Sequence, residues 1–256
     1  MVVSGNKPHY YIYDIKSGNI DKMTYNSLQL QRDDNRCKGI QQMITSPSGR
    51  FIVFSAQDGY LLVVDGFTRQ LVQTLKMNGS CCSMAFSQCG LYLMSAGSDG
   101  QVYQWDMRNS FKSRCVNRIT NEDGSTIRSL AISDQYLAIG ADSGVVNLYP
   151  NPIDTKVESL QSGVPLKRFL NLRTSVSGMQ FNHDGRILAT WSGQDKKTGL
   201  KLMHTKSQTV FANWPTSKTP LGFVQSVSFS STSDYMAFGN DKGKCLLYKL
   251  LHYYNQ

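Results

Sequence analysis

The stretch SPSGRFIVFSAQDGYLLVVD, residues 46–65, places one apolar run before Asp58-Gly59 and another after it. Aromatic and β-branched residues flanking an Asp-Gly pair read as two strands joined by a tight turn. The order recurs in FSQCGLYLMSAGSDGQVYQWD, residues 86–106, around Asp99-Gly100, and in AISDQYLAIGADSGVVNLY, residues 131–149, around Asp142 and Gly144. A fourth copy, FNHDGRILATWSGQDKKTGLKLMH, residues 181–204, carries Asp195 and Gly199. The fifth, FSSTSDYMAFGNDKGKCLLY, residues 229–248, carries Asp241 and Gly243. The turn glycines are spaced by 41, 44, 55 and 44 residues.

Such a period is that of four-stranded propeller blades. Each copy supplies an alternating strand (Ser83 to Phe86, or Val224 to Phe229), a polar turn, a second strand, the Asp/Gly turn and a third strand. Three strands cannot cover both of their faces, and a fourth is expected at Gln70 to Leu75 and at Thr209 to Asn213. Upstream, His9 to Asp14 and Asn19 to Thr24 read as the last two strands of an incomplete blade. The expected fold is all-β: a WD-repeat-like β-propeller with five recognisable blades plus a partial N-terminal one. Blade limits fall near 1–38 (partial), 39–78, 79–124, 125–174, 175–222 and 223–256, in a single domain over 1–256. A β-sandwich also gives short strands at regular spacing, but it does not require an Asp/Gly turn recurring at near-constant interval. The insertions Gln31 to Lys38, Asn151 to Val164 and Trp214 to Leu221 read as polar connections.

Composition narrows the functional classes. The 256 residues are 40% hydrophobic and 18% charged, which is globular rather than disordered. Met77 to Ser98, the longest charge-free stretch, is broken by serines and glycines and falls short of the ~20 apolar residues of a membrane span. No secretory signal is read at Met1 to Lys7, so a reducing compartment is expected. The six cysteines form no Cys-x-x-Cys pair, and the four histidines stand apart from other ligand-type residues. No metal and no cofactor is expected.

Catalytic patterns are poor. Gly239 to Cys245 superficially matches a phosphate-binding loop but fails on spacing and on the hydroxyl, where Cys245 stands. His183-Asp184 falls in a surface turn, and His204 replaces the aromatic residue or valine of a third strand; neither reads as a catalytic base. The turn aspartates are expected to accept hydrogen bonds from the backbone N–H groups of their own turns. Asp58, Gly59, Asp99, Gly100, Asp142, Gly144, Asp195, Gly199, Asp241 and Gly243 are therefore structural.

Charge is more informative: Lys plus Arg number 27 against 18 acids, a net +9. Arg108, Lys112, Arg114 and Arg118, with Phe111 among them, form an acid-free stretch, and Lys167, Arg168 and Arg173 a second. Lys196, Lys197 and Lys201 cluster near the fourth turn; Lys242, Lys244 and Lys249 cluster near the fifth. Basic loops neutralise phosphates and an interleaved aromatic stacks on an unpaired base, so these are the candidate RNA contacts. Exposed loops on a rigid scaffold equally serve protein docking.

Val102-Tyr103-Gln104-Trp105-Asp106 is a full Trp-Asp ending, and the repeat pattern resembles the WD-repeat propellers. The match is divergent: the ending becomes Val64-Asp65, Tyr149-Pro150, His204-Thr205 and Tyr248-Lys249, and no Gly-His dipeptide appears. The family's His-to-Asp bond between loops is therefore expected to be missing. GVVNLY (144–149), KRFLNL (167–172), GNDKGK (239–244) with Tyr248, and LHYY (251–254) more closely resemble the C-terminal propeller of the U-three small nucleolar RNA-associated protein eighteen family.

That resemblance implies a seven-bladed propeller beginning here mid-way, and a nucleolar, non-enzymatic scaffold of the small-subunit processome. The implied partners are other WD-repeat subunits of the processome's B subcomplex, precursor ribosomal RNA and the U-three small nucleolar RNA, with no membrane and no small-molecule substrate. The alternatives are a phosphoinositide-binding propeller, whose Phe-Arg-Arg-Gly signature is missing, and an enzyme with a polar channel, for which no paired carboxylate or activated nucleophile is found. Basic pairs such as Lys196-Lys197 are too short for a nuclear-import run.

Overall fold

The computed structural model describes residues 2–4, 9–24, 41–108, 114–122, 124–153, 164–196, 198–216 and 219–250. Every strand pairs with its neighbour in the chain, so the connections are hairpins and the result is six separate sheets. The first holds β1 (Val2–Ser4), β2 (His9–Tyr13) and β3 (Ile20–Thr24). The second holds β4 (Gln42–Thr45), β5 (Phe51–Ser55), β6 (Tyr60–Asp65) and β7 (Leu71–Lys76). The third holds β8 (Cys81–Phe86), β9 (Tyr92–Gly97), β10 (Gln101–Asp106) and β11 (Arg114–Thr120). The fourth holds β12 (Ile127–Ile132), β13 (Tyr136–Ala141), β14 (Val146–Pro150) and β15 (Lys167–Phe169). The fifth holds β16 (Gly178–Phe181), β17 (Ile187–Trp191), β18 (Leu200–His204) and β19 (Thr209–Val210), and the sixth β20 (Val224–Phe229), β21 (Tyr235–Asn240) and β22 (Cys245–Lys249). Helix is confined, among the described residues, to a 3-10 turn at Gln57–Gly59.

The central strands are apolar at successive positions because both of their faces are covered. In the unit Met1–Arg118, Phe51 and Val53 of β5 join Leu61 and Val63 of β6 in a core with Leu93, Tyr103 and Trp105 of the third sheet. The intervening Ile52, Phe54, Leu62 and Val64 turn the other way and pack with Tyr10 of the first sheet. In the unit Ile119–Gln256, Ile187, Ala189 and Trp191 of β17 pack with Val224, Val227 and Phe238 of the sixth sheet. Leu188 packs with Phe169 and Leu148 of the fourth, and with Val176 on the connection between the two sheets. Period-two alternation thus glues the second sheet to the first and third, and the fifth to the fourth and sixth. Burying one such side chain contributes roughly 1.5–3 kcal/mol.

The polar turn of each copy has one construction. Ser46, Ser87 and Ser230 accept, at Oγ, the amide of the residue five positions on, Phe51 (3.0 Å), Tyr92 (3.1 Å) and Tyr235 (3.1 Å). Ser133 does the same for Tyr136 at 3.0 Å, and Asn182 Oδ1 for Ile187 at 2.8 Å. In all five the backbone N–H of the clamping residue donates to the carbonyl of that same partner. Ser and Asn favour such local bonds, and they fix the entry to the second strand.

Three expectations need correction. Six sheets are present rather than five and a fragment: the N-terminal segment forms a three-stranded sheet because Val2 and Val3 pair with Ile12 and Tyr11. Two adjacent valines are too short a run for alternation to show. The stretch from Arg114 and that beginning at Lys167 are not loops but the outer strands β11 and β15. In β11 the buried or half-buried Cys115, Asn117 and Ile119 alternate with exposed Arg114, Val116, Arg118 and Thr120, a strand signature masked by its basic residues. Finally, the fourth strand of the fifth sheet is only Thr209–Val210, prolonged by the Phe211 amide donating to the Leu202 carbonyl at 2.9 Å.

Candidate nucleic-acid interface

Tyr103 and Trp105 lie on one face of β10, and their rings stack 5.8 Å apart at 12°. The indole of Trp105 donates to Ser95 Oγ at 2.8 Å, and the phenol of Tyr103 donates to Asp99 Oδ2 at 2.6 Å. Burial, reinforced by the Asp99 carboxylate, pushes the Tyr103 phenol above its ordinary range. The guanidinium of Arg118, reaching from β11, lies 5.0 Å from the Tyr103 ring centre. Asp99 therefore takes a tyrosine of its own hairpin, and the Gln101 amide at 3.3 Å, as partners.

The Asp106 that ends the motif closes the next turn. Its Oδ1 accepts the Arg108 amide at 2.9 Å, and the Arg108 side chain forks onto both carboxylate oxygens, with Nη2 to Oδ2 at 2.6 Å. The Arg108 side-chain bonds hold the Asp106 carboxyl below the usual aspartate range; burial opposes them, and the Arg108 amide adds a lesser lowering. Arg108 also lies 5.4 Å from the Tyr92 ring centre. It is a turn-closing residue whose charge is largely answered. Arg114 and Arg118 stand on the exposed face of β11. Lys112 and Phe111 lie outside the described residues, as does Lys197.

In the second unit Arg168 forms an ion pair with Glu122. Lys167 and Arg173 are exposed on β15 and on the connection after it. Lys196 has different company. The β17–β18 turn that carries it, β18 itself and the β21–β22 turn bring Lys196, Lys201, Lys242 and Lys244 around one concavity of about 620 Å³. The two lysine clusters stand apart in sequence, yet both occupy the Asp/Gly turns of adjacent copies. Equivalent turns lie at the same end of neighbouring sheets, which is the sequence signal for their meeting.

The turn residues divide by role. Gly59, Gly100, Gly144 and Gly243 all take left-handed backbone, at φ of 77°, 68°, 87° and 70°. Gly199 does not; there a Cβ would come within 2.2 Å of the Asp195 carbonyl oxygen. Asp195 accepts the Thr198 amide at 3.1 Å and Asp99 that of Gln101, as expected of turn aspartates. Asp142 departs from this, accepting from Arg128 Nε and Ser175 Oγ, both at 2.9 Å. Those two bonds, Arg128 first, hold its carboxyl low. Asp241 accepts the Phe223 amide at 2.9 Å, leaving its own turn to Asn240. Asp58, itself at φ 59°, closes its turn through backbone geometry.

His183 and Asp184 are exposed in a turn. His204 Nδ1 lies 3.2 Å from the Ser207 amide, which it holds as a turn cap. Among the described residues no three His, Cys, Asp or Glu side chains gather as a metal ion requires.

The family described as WD domain, G-beta repeat matches residues 69–106, the segment holding Asp99 and the Trp105-Asp106 ending. Over its whole length the chain is 37% identical to the U3 small nucleolar RNA-associated protein 18 homolog of Arabidopsis thaliana, covering 44% of that protein. The Homo sapiens and Mus musculus homologs are 32% and 33% identical over 95% of this chain, which covers 42% of each. The chain thus spans less than half the length of these curated relatives. It is a WD-repeat protein that resembles, from end to end, the C-terminal part of the U3 small nucleolar RNA-associated protein 18 homologs.

Proposed function

We propose that this chain is a non-enzymatic scaffold of the small-subunit processome, acting in precursor ribosomal RNA processing and small-subunit assembly in the nucleolus. The whole-length similarity to proteins named for association with U3 small nucleolar RNA carries this reading. An all-β body without a catalytic grouping among its described residues, and with exposed cations on several strands and turns, supports it. In this reading the partners are other WD-repeat subunits of the processome's B subcomplex, together with precursor ribosomal RNA and the U-three RNA. Arg114, Arg118, Lys167, Arg173 and Lys196 are the exposed candidates for RNA contact. Arg108 and Arg168, held by Asp106 and Glu122, contribute less to it.

The test is affinity purification of the full-length protein, followed by identification of co-purifying proteins and RNA. Recovery of WD-repeat processome subunits with U-three RNA supports the reading. Recovery of neither, from cells in which both are present, overturns it.

A further inference from the structure

We propose that the concavity framed by Lys196, Lys201, Lys242 and Lys244 binds the phosphate backbone of single-stranded RNA without regard to sequence. Four lysines from two adjacent sheets line it, and none has a carboxylate within ion-pair distance among the described residues. Four like charges around one hollow repel each other, and this arrangement is relieved by an anion bridging them. The volume, about 620 Å³, falls within the ~300–1,000 Å³ of ligand sites.

The hollow is held in shape before any ligand arrives. Asn240, buried at the end of β21, accepts the amides of Lys242 and Lys244 at Oδ1, each at 3.1 Å. Its Nδ2 donates to the Leu221 carbonyl at 3.2 Å, tying that turn to the connection entering β20. Asp241 and Phe223 add a reciprocal pair, amide to carbonyl at 3.0 Å and amide to carboxylate at 2.9 Å. The Asp195 and Asp241 carboxylates of the two turns accept the amides of Thr198 and Phe223. On the far wall Thr219 Oγ1 accepts the Thr216 amide at 3.1 Å.

The lining chooses among anions. Of the three threonine hydroxyls that line the hollow, that of Thr198 donates to Asp195 and those of Thr216 and Thr219 bond to each other, so the lysines are its main donors. Among the described residues no aromatic side chain and no arginine lines it. Base stacking is therefore not available, and neither is the bidentate arginine fork that recognises phosphomonoesters on peptides. Among the described residues no exposed large apolar side chain rims it to enter a bilayer. Point charges on flexible stems suit the spaced, singly charged diesters of a nucleic-acid strand.

The inference rests on the proposed action of this protein on an RNA particle, and the two fail separately. The full chain is titrated against a fluorescein-labelled single-stranded RNA of mixed sequence, with salt varied. The variants are a Lys201→Gln, Lys242→Gln, Lys244→Gln triple, the matching triple to arginine, and a control triple of the exposed Lys16→Gln, Lys22→Gln and Lys206→Gln. Circular dichroism checks that each is folded. The first triple is expected to weaken binding about tenfold or more near 0.15 M salt, and to lower the log–log salt slope by about 2, for three single-strand phosphate contacts. The arginine triple retains affinity, and the control changes it by less than about threefold. An unchanged glutamine triple overturns the site. So does stronger competition by phosphoinositide vesicles or by a phosphopeptide than by RNA. If the glutamine triple loses RNA while purification recovers no processome subunit, the site stands and the functional reading falls.

Discussion

The indole N–H of Trp105 is satisfied by Ser95 Oγ, 2.8 Å away on the neighbouring strand, and both residues are buried. Beside that bond Tyr103 reaches Asp99, so the third sheet carries its polar contacts in the part of the chain closest to the WD repeat.

Ser95→Ala removes the acceptor and leaves a buried donor. The expected cost is about 1–3 kcal/mol, read as a lower urea midpoint at unchanged slope. An unchanged midpoint would show the bond to be dispensable.

Asp106 gives a prediction in pH. Its carboxyl is held below the ordinary 3.8, so its contribution is complete above that value and disappears as pH falls through the lower, folded-state value. Asp106→Asn should therefore flatten the acid limb of the stability curve while leaving the alkaline limb as it was. Denaturation midpoints collected between about pH 2 and 7 make the comparison.

Gly144 combines a φ of 87° with carbonyl oxygens of Leu172 and Thr174 at 2.7 and 2.8 Å from where a Cβ would stand. Gly144→Ala meets both backbone strain and a clash with atoms that cannot rotate away. A loss of several kcal/mol is expected, on the order of the larger point-mutation effects. Calorimetry showing a shift of less than a degree or so would contradict it.

Burial pushes the Cys81 thiol up to about 12, whereas Cys89 and Cys245 are exposed. Iodoacetamide near neutral pH should label Cys89 and Cys245 first and reach Cys81 only on unfolding. Because the folded pKa is the higher one, stability from the protonated Cys81 is complete below about 9 and falls as pH rises toward 12. Peptide mass mapping after timed alkylation checks the order of labelling, and early modification of Cys81 would refute it.

The repeat was legible because central strands such as β5, β6 and β17 are covered on both faces, which forces consecutive apolar residues between turn signals at a fixed period. Phe51 to Phe54 and Leu61 to Val64 show this plainly. Outer strands face solvent on one side and lose that signal. β11 and β15 consequently read as basic loops, and Val2–Ser4 was too short to register. Of the candidate cations, charge alone could not separate Arg108 and Arg168 from the rest. A carboxylate two residues away and another distant in sequence answer them, and only the second of these requires the fold. The meeting of Lys196 with Lys242 and Lys244 follows from aligning turns across copies rather than from reading along the chain.

The five serine and asparagine clamps have a consequence for how the molecule comes to be built. Each grips an amide no more than five residues away, so the first hairpin of every copy can settle its own pairing before any neighbour arrives. A slipped hairpin would turn its apolar side outward and lose the clamp together with the burial. Maturation of the chain can therefore proceed as a series of locally checked modules packed face to face, with few long loop closures to slow it.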